Sequence, residues 1–281
     1  MKMAVLGLGN MGRAVAHRLL SDGHDLTVWN RTPGREKELI AAGATWAESV
    51  AAAVPSAEVV FTSLANDDAV QEVALGPEGI QRHLDEDAVY MDLSTVSPDV
   101  SERLEQEFDR FIAMPILGAP EAVRSGQAIY LVGGNPKFGE PLEPVLASLG
   151  GSTTHYDSPR LATTGKLAVN GLLLSGIVAL AEAFAVGRSG GLTDDQLSDL
   201  LSSTPMLAPG LENRFEGVRQ GGGAVQWTPV LAAKDSGLAI DVTDQADVKL
   251  RLAPVVRAAF ESAVEMGLED EDIVAVARIY S

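Results

Sequence analysis

The chain has no cysteine in its 281 residues. That excludes disulfides, a thiol nucleophile and a thiolate metal site. Histidine is scarce: His17, His24, His83 and His155 are the only four, and none is spaced HxH or HxxxH, so no imidazole metal pattern is present. No G-x-S-x-G nucleophile elbow occurs either. Cations are few, with 21 Lys plus Arg against 39 Asp plus Glu and a formal charge of −18. Such a chain repels a polyphosphate backbone, which excludes nucleic acid as an expected partner; the acidity also suits a salt-adapted source. Long charge-free apolar runs are missing. The nearest, Leu167 to Val186, is interrupted by Asn170, Gly171, Ser175 and Glu182, so we expect a buried helix and no membrane span. No signal-peptide pattern precedes the first strand, and the expected location is the cytoplasm.

What is present is a globular composition, 46% hydrophobic, in a chain long enough for two domains. The most informative stretch lies at the start. Met3-Ala4-Val5-Leu6 is an apolar run. Gly7-Leu8-Gly9-Asn10-Met11-Gly12 breaks it, and an amphipathic helix follows from Arg13 to Leu20. A second apolar run, Asp25 to Trp29, ends at Asn30-Arg31-Thr32. Strand, glycine turn, helix and strand in this order form the unit that holds a dinucleotide. Gly7 permits the tight turn, Gly9 admits a pyrophosphate close to the backbone, and Gly12 lets helix and strand pack closely. The helix N-terminus then offers free N–H groups and a positive dipole end to the phosphates.

The end of the second strand bears on cofactor choice. An NAD site usually places Asp or Glu there for the ribose 2′-hydroxyl. Here the residues are Asn30, Arg31 and Thr32, with Arg35 and Lys37 behind. An acid would repel a 2′-phosphate, whereas this set can hydrogen-bond it, so NADPH is expected over NAD. The same arginines would also suit an ordinary solvated loop.

Strand and helix signals continue to alternate. Strands are expected at Val59–Leu64, Ala88–Leu93, Phe111–Met114 and Ile129–Gly134, and helices at Asp67–Ala74, Pro98–Glu107 and Phe138–Leu149. This is the pattern of an α/β, Rossmann-type doubly wound sheet, taken as residues 1–160. From residue 161 strand signals stop. An apolar helix over Leu161–Ser189 opens an all-α domain, 161–281, with further helices at Thr193–Leu201, Thr228–Asp244, Lys249–Met266 and Asp270–Ile279. Arg219 to Gly223 is expected as a flexible link, and His155 as part of the linker ahead of the long helix.

Three places carry chemistry-bearing residues. Lys166 and Asn170 lie four apart and share a helix face. Such a pair can hold a carbonyl oxygen and supply its proton. The spacing equally fits a solvent-facing lysine and an amide satisfied between helices. Lys234-Asp235 sits inside an apolar helical run, either as a surface pair or as a lysine reaching a ligand. Leu64-Ala65-Asn66 and Ser94-Thr95 follow strand ends, where open α/β sheets bind ligands, although Asn66 and Ser97 would also serve as helix caps.

Together these blocks resemble the β-hydroxyacid dehydrogenase family, relatives of 3-hydroxyisobutyrate dehydrogenase and of the glyoxylate and succinic semialdehyde reductases, with imine reductases as close kin. The resemblance covers almost the whole chain. It rests on GLGNMG with NRT, on Asp92-Leu93-Ser94-Thr95 with Ser97-Pro98, and on Pro115 through Gly134. Gly165-Lys166 with Asn170, and Lys234-Asp235 with Leu238-Ala239, complete it. It implies an oxidoreductase in which Lys166 is catalytic and Asn170 its helper. Leu64, Ala65, Thr95 and Lys234 would meet the cofactor, and Leu117, Gly118 and Ala119 would line the substrate pocket. The helical domain, like that of 6-phosphogluconate dehydrogenase, would make a dimer or tetramer. This sequence departs from the family at Leu117, where a serine would bind a substrate carboxylate, and at Ala119, Val169, Arg160 and Ala162. The acid clamp is thus altered while the proton-transfer lysine is kept; the expected substrate is a semialdehyde held differently, a more apolar carbonyl compound or an imine, with the lysine favouring C=O over C=N reduction.

Overall fold

The computed structural model describes residues 1–135 and 139–280. The chain divides into two compact units, Met1–Lys166 and Leu167–Ser281.

The first unit is built on β1 (Lys2–Leu6), α1 (Asn10–Ser21), β2 (Asp25–Trp29), α2 (Lys37–Ala41), β3 (Thr45–Trp46), α3 (Val50–Ala53) and β4 (Val59–Thr62). It continues through α4 (Asp67–Leu75), β5 (Val89–Asp92), α5 (Pro98–Glu107), β6 (Phe111–Ala113), β7 (Ile116–Leu117), α6 (Pro120–Arg124), β8 (Ile129–Gly134), α7 (Gly139–Leu149) and β9 (Ser152–Tyr156). Strands β3-β2-β1-β4-β5-β6 are parallel neighbours in that order. This is the order of a dinucleotide-binding doubly wound sheet, with its switch point between β1 and β4. Beyond β6 the sheet changes character. Both β6 and β7 run antiparallel to β8 along one edge, and β9 pairs parallel with its other edge.

Alternation along the strands explains the two layers of core. Met3 and Val5 pack on one face with Ala14, Val15 and Leu19 of α1. Ala4 and Leu6 point to the other, with Val70 and Val73 of α4 and Val100 and Leu104 of α5. A strand buried on both faces reads as an unbroken apolar run, which is what β1, β4 and β5 show.

The second unit is helical among the described residues. Helix α8 (Pro159–Ser189) begins in the first unit and continues into the second. It is followed by α9 (Asp194–Ser202), α10 (Pro209–Gln220), α11 (Pro229–Gln245), α12 (Ala253–Glu265) and a 3-10 helix, Ile273–Tyr280. The core joins Leu174, Ile177 and Phe184 of α8 to Phe260 of α12 and Val276 of the 3-10 segment.

Several expectations need correction. The C-terminal helix is 3-10, not α, and α12 starts at Ala253, one residue before Pro254, because proline is accepted in a first turn. Arg219 and Gln220 end α10 and are not linker; Gly221, at φ +65°, caps it. His155 lies in β9. The helix expected from Phe138 is seen from Gly139, and Phe138 lies outside the described residues. Helix α8 is not wholly buried within this chain: Leu172 and Val186 are 77% and 73% exposed. By length and composition alone it is long and apolar enough to cross a membrane.

Candidate active site

The glycine turn is shaped from inside. Gly7 has φ +100°, and a Cβ there would stand 2.3 Å from the Ser63 carbonyl oxygen. A Cβ on Gly12 would stand 1.9 Å from the Gly7 carbonyl oxygen. Both glycines are therefore required by the packing of β1, α1 and the end of β4. Gly9 is different. Its backbone, φ −65° and ψ −174°, suits any residue, and a Cβ there would meet nothing within 4 Å. It opens α1 without a side-chain cap, and no acid stands in the first turn. Open space beside an uncapped helix start is what a pyrophosphate needs, so the residues fit a dinucleotide.

Asn30 ties the second strand to this turn. Its Oδ1 accepts from Leu8 N–H at 2.9 Å, and its Nδ2 donates to the Thr32 carbonyl at 2.6 Å. Both polar ends of Asn30 are thus engaged within the chain. Arg31, Thr32 and Arg35 are exposed beside it.

The C-terminal ends of β4 and β5 are joined by a buried network. Tyr90 Oη and Thr62 Oγ1 are 2.9 Å apart. Asp92 Oδ1 accepts from Thr62 Oγ1 at 2.6 Å, from Ser94 Oγ at 2.6 Å and from Ser94 N–H at 3.1 Å. Ser94 Oγ in turn accepts from Leu64 N–H at 2.9 Å. With Thr62 donating to the carboxylate, Tyr90 must donate to Thr62, so the protons all run toward Asp92. Burial raises the Asp92 carboxyl, against the lowering effect of the Ser94 and Thr62 hydrogen bonds. Burial, then the Asp92 charge, pushes the Tyr90 phenol well above its ordinary range. The network holds Leu64 and Ser94-Thr95 in one crevice. Asn66 and Ser97 cap α4 and α5, accepting from Ala69 N–H and Val100 N–H.

Lys166 stands over the strand that leads to the predicted substrate residues. Its Nζ donates to the Ile116 carbonyl at 2.6 Å. Ile116-Leu117 is β7, followed by Gly118 at φ +134° and by Ala119, the uncapped start of α6. Lys166, Leu117, Gly118 and Ala119 are therefore brought together. The start of α8 is pinned to α5: Arg160 Nη1 donates to Asp99 at 2.6 Å and Glu102 at 2.9 Å, and Ser101 and Thr163 hydroxyls meet at 2.7 Å.

In the second unit, Asn170 is only 4% exposed, and its Nδ2 donates to Asp235 Oδ2 at 2.8 Å. Lys234 Nζ lies 2.7 Å from Asp235 Oδ1. The amide and the second lysine thus share one buried carboxylate, which sequence reading had left as a bystander. Sequence reading also missed Thr62 and Tyr90. Asp92, an acid closing an apolar strand, was the visible signal for both.

Comparison with known proteins places the chain in a family. The profile described as the NAD binding domain of 6-phosphogluconate dehydrogenase matches residues 2–157. The profile described as NAD-binding of NADP-dependent 3-hydroxyisobutyrate dehydrogenase matches residues 161–280. The chain is 32% identical to "Uncharacterized oxidoreductase YfjR" of Bacillus subtilis (strain 168), covering 97% of each. It is 28% identical to glyoxylate/succinic semialdehyde reductase 1 of Arabidopsis thaliana, covering 98% of this chain and 97% of that one. Among solved structures, Psf3 in complex with NADP+ and 2-OPP superposes with a TM-score of 0.91 at 25% identity, covering 99% of this chain and 100% of that one.

Proposed function

The chain is an NAD(P)-dependent oxidoreductase of the β-hydroxyacid dehydrogenase family, and on that premise we propose that it is an NADPH-dependent reductase of a small carbonyl compound, or the reverse alcohol dehydrogenase. The observation that carries this reading is Lys166 held by the Ile116 carbonyl beside Leu117, Gly118 and Ala119.

Gly7 to Gly12 would hold the cofactor pyrophosphate, chiefly through the backbone N–H groups at the start of α1. Arg31 and Thr32 would meet the ribose 2′-phosphate, with Asn30 setting the loop. Leu64, Ala65 and Thr95 would line the nicotinamide half, and by the family resemblance Lys234 would also meet the cofactor. When bound, the reduced nicotinamide supplies a hydride to an electrophilic carbon. Lys166 donates one N–H to the Ile116 carbonyl, which aims the ammonium beside Leu117 and Gly118. As that oxygen gains charge, Lys166 gives it a proton, and C=O becomes CH–OH. In the reverse direction Lys166 takes the hydroxyl proton. By the family resemblance Asn170, whose Nδ2 donates to Asp235, would be the helper of Lys166.

Leu117 supports one substrate class. It offers no hydroxyl where a carboxylate would need one, so the non-reacting end of the substrate is apolar. The exposed Leu172 and Val186 of α8 support a homodimer made through the helical unit. The test is NADPH oxidation with aldehydes, keto acids and cyclic imines in parallel. Turnover of apolar ketones or aldehydes supports the reading. Turnover of imines alone, or tight NADPH binding with no turnover of any substrate, overturns it.

A further inference from the structure

We infer that Arg13 is a second cation for the cofactor 2′-phosphate, acting beside Arg31; the inference rests on the NADPH reading above. Arg13 occupies the first turn of α1, where a cation opposes the helix dipole and no acid offsets it. A position that disfavours a positive charge calls for an anion from elsewhere.

The side chain is poised for one. Its Nη2 donates to Asn10 Oδ1 at 3.1 Å, which folds the guanidinium back toward the helix start. Its Nε is buried and has no hydrogen-bond partner. Arginine has five N–H donors, and a buried one left unmet is costly. The chain has acids in excess, 39 against 21 basic residues. Among the described residues Arg13, Arg31 and Arg35 form no ion pair, a property they share with Arg18, Arg82, Arg103 and Arg251; what sets Arg13 apart is its buried, unmet Nε at the start of α1.

Position selects the 2′-phosphate over the pyrophosphate. The pyrophosphate belongs at the helix start, on Gly9, Asn10 and Met11. Arg13 stands at the fourth position of α1, past those three residues. One turn further along the same face, His17 Nε2 stands 3.9 Å from Glu38 Oε2 of α2. The face bearing Arg13 therefore looks toward the segment after β2, where Arg31, Thr32 and Arg35 are exposed.

Direct binding tests this on the full chain. NADP+, NAD+, 2′,5′-ADP and 5′-AMP are titrated calorimetrically into wild type, Arg13→Gln and Arg13→Lys, with melting temperatures as the folding control. Loss of a charge-assisted contact predicts that Arg13→Gln weakens NADP+ and 2′,5′-ADP about tenfold or more and leaves NAD+ and 5′-AMP within about twofold. Arg13→Lys keeps most of the discrimination. Equal weakening of all four ligands would assign Arg13 to the pyrophosphate or to the turn and overturn the inference, as would no weakening at all. A wild type without preference for NADP+ overturns the NADPH reading itself, whatever the variants do.

Discussion

Lys166 and Ile116 meet across 2.6 Å, side-chain ammonium to backbone carbonyl, although fifty positions separate them in the chain. The bond makes the lysine's aim a property of β7 and not of its own flexible stem. Lys166→Ala is therefore expected to lower kcat by roughly a hundred-fold or more, in the range of a lost general acid. NADP+ affinity stays unchanged, because no cofactor contact is removed. Steady-state rates and calorimetric titration separate the two effects.

Leu117 sits on that same strand, half-exposed. Leu117→Ser adds a hydroxyl donor next to Gly118. The ratio of kcat/KM for a carboxylate-bearing substrate over an apolar one should rise by roughly tenfold, the worth of one hydrogen bond to a charged group. A panel of matched aldehydes and semialdehydes measures it. An unchanged ratio would remove Leu117 from the specificity argument.

Asn30 and Arg31 are adjacent but act on different terms. Asn30→Ala frees Leu8 N–H and loosens the glycine turn, so it should weaken NADP+ and NAD+ alike. Arg31→Ala removes only a charge and should weaken NADP+ alone, by about tenfold. Calorimetric titration of both ligands into both variants distinguishes turn shape from charge.

Asp92 gives a pH signature. Its folded-state carboxyl is raised by burial, so between the ordinary aspartate range and that raised value the folded state binds more protons than the unfolded state. Stability from this group falls as pH rises through the window. Asp92→Asn removes the titration, so wild-type stability relative to the variant should decline with increasing pH. Chemical denaturation at a series of pH values reads the difference. Asp92→Ala should cost more, on the order of 3 kcal/mol at low pH, because it also strands the Thr62 and Ser94 donors, and its cost should shrink with rising pH by the same linkage.

The first unit was legible where burial on both faces writes an apolar run: β1, β4 and β5 lie within a residue or two of their expected places, and α5 has the expected bounds, Pro98–Glu107, since Ser97 and Pro98 announce its start. β9 was not legible. Ser152-Thr153-Thr154-His155-Tyr156 is polar and mostly exposed, and only its pairing with β8 makes it a strand. β7 is two residues long, too short for any periodicity. α10 was hidden because Gly210, Gly217 and its many charges give little helical pattern. At the site, motif residues were visible singly. What joins them was not: Lys166 to Ile116, Asn170 to Asp235, and Thr62 to Asp92 are all contacts distant in sequence.

The glycine turn carries one more consequence. Its shape is closed by Ser63 and by Gly7 against Gly12, all groups of the chain itself. Few loop shapes fit that packing, so association should cost little loop entropy at the pyrophosphate. Encounter and orientation then set the on-rate, and a mutation in the turn should register as a slower fold or a lower melting temperature before it registers as slower binding.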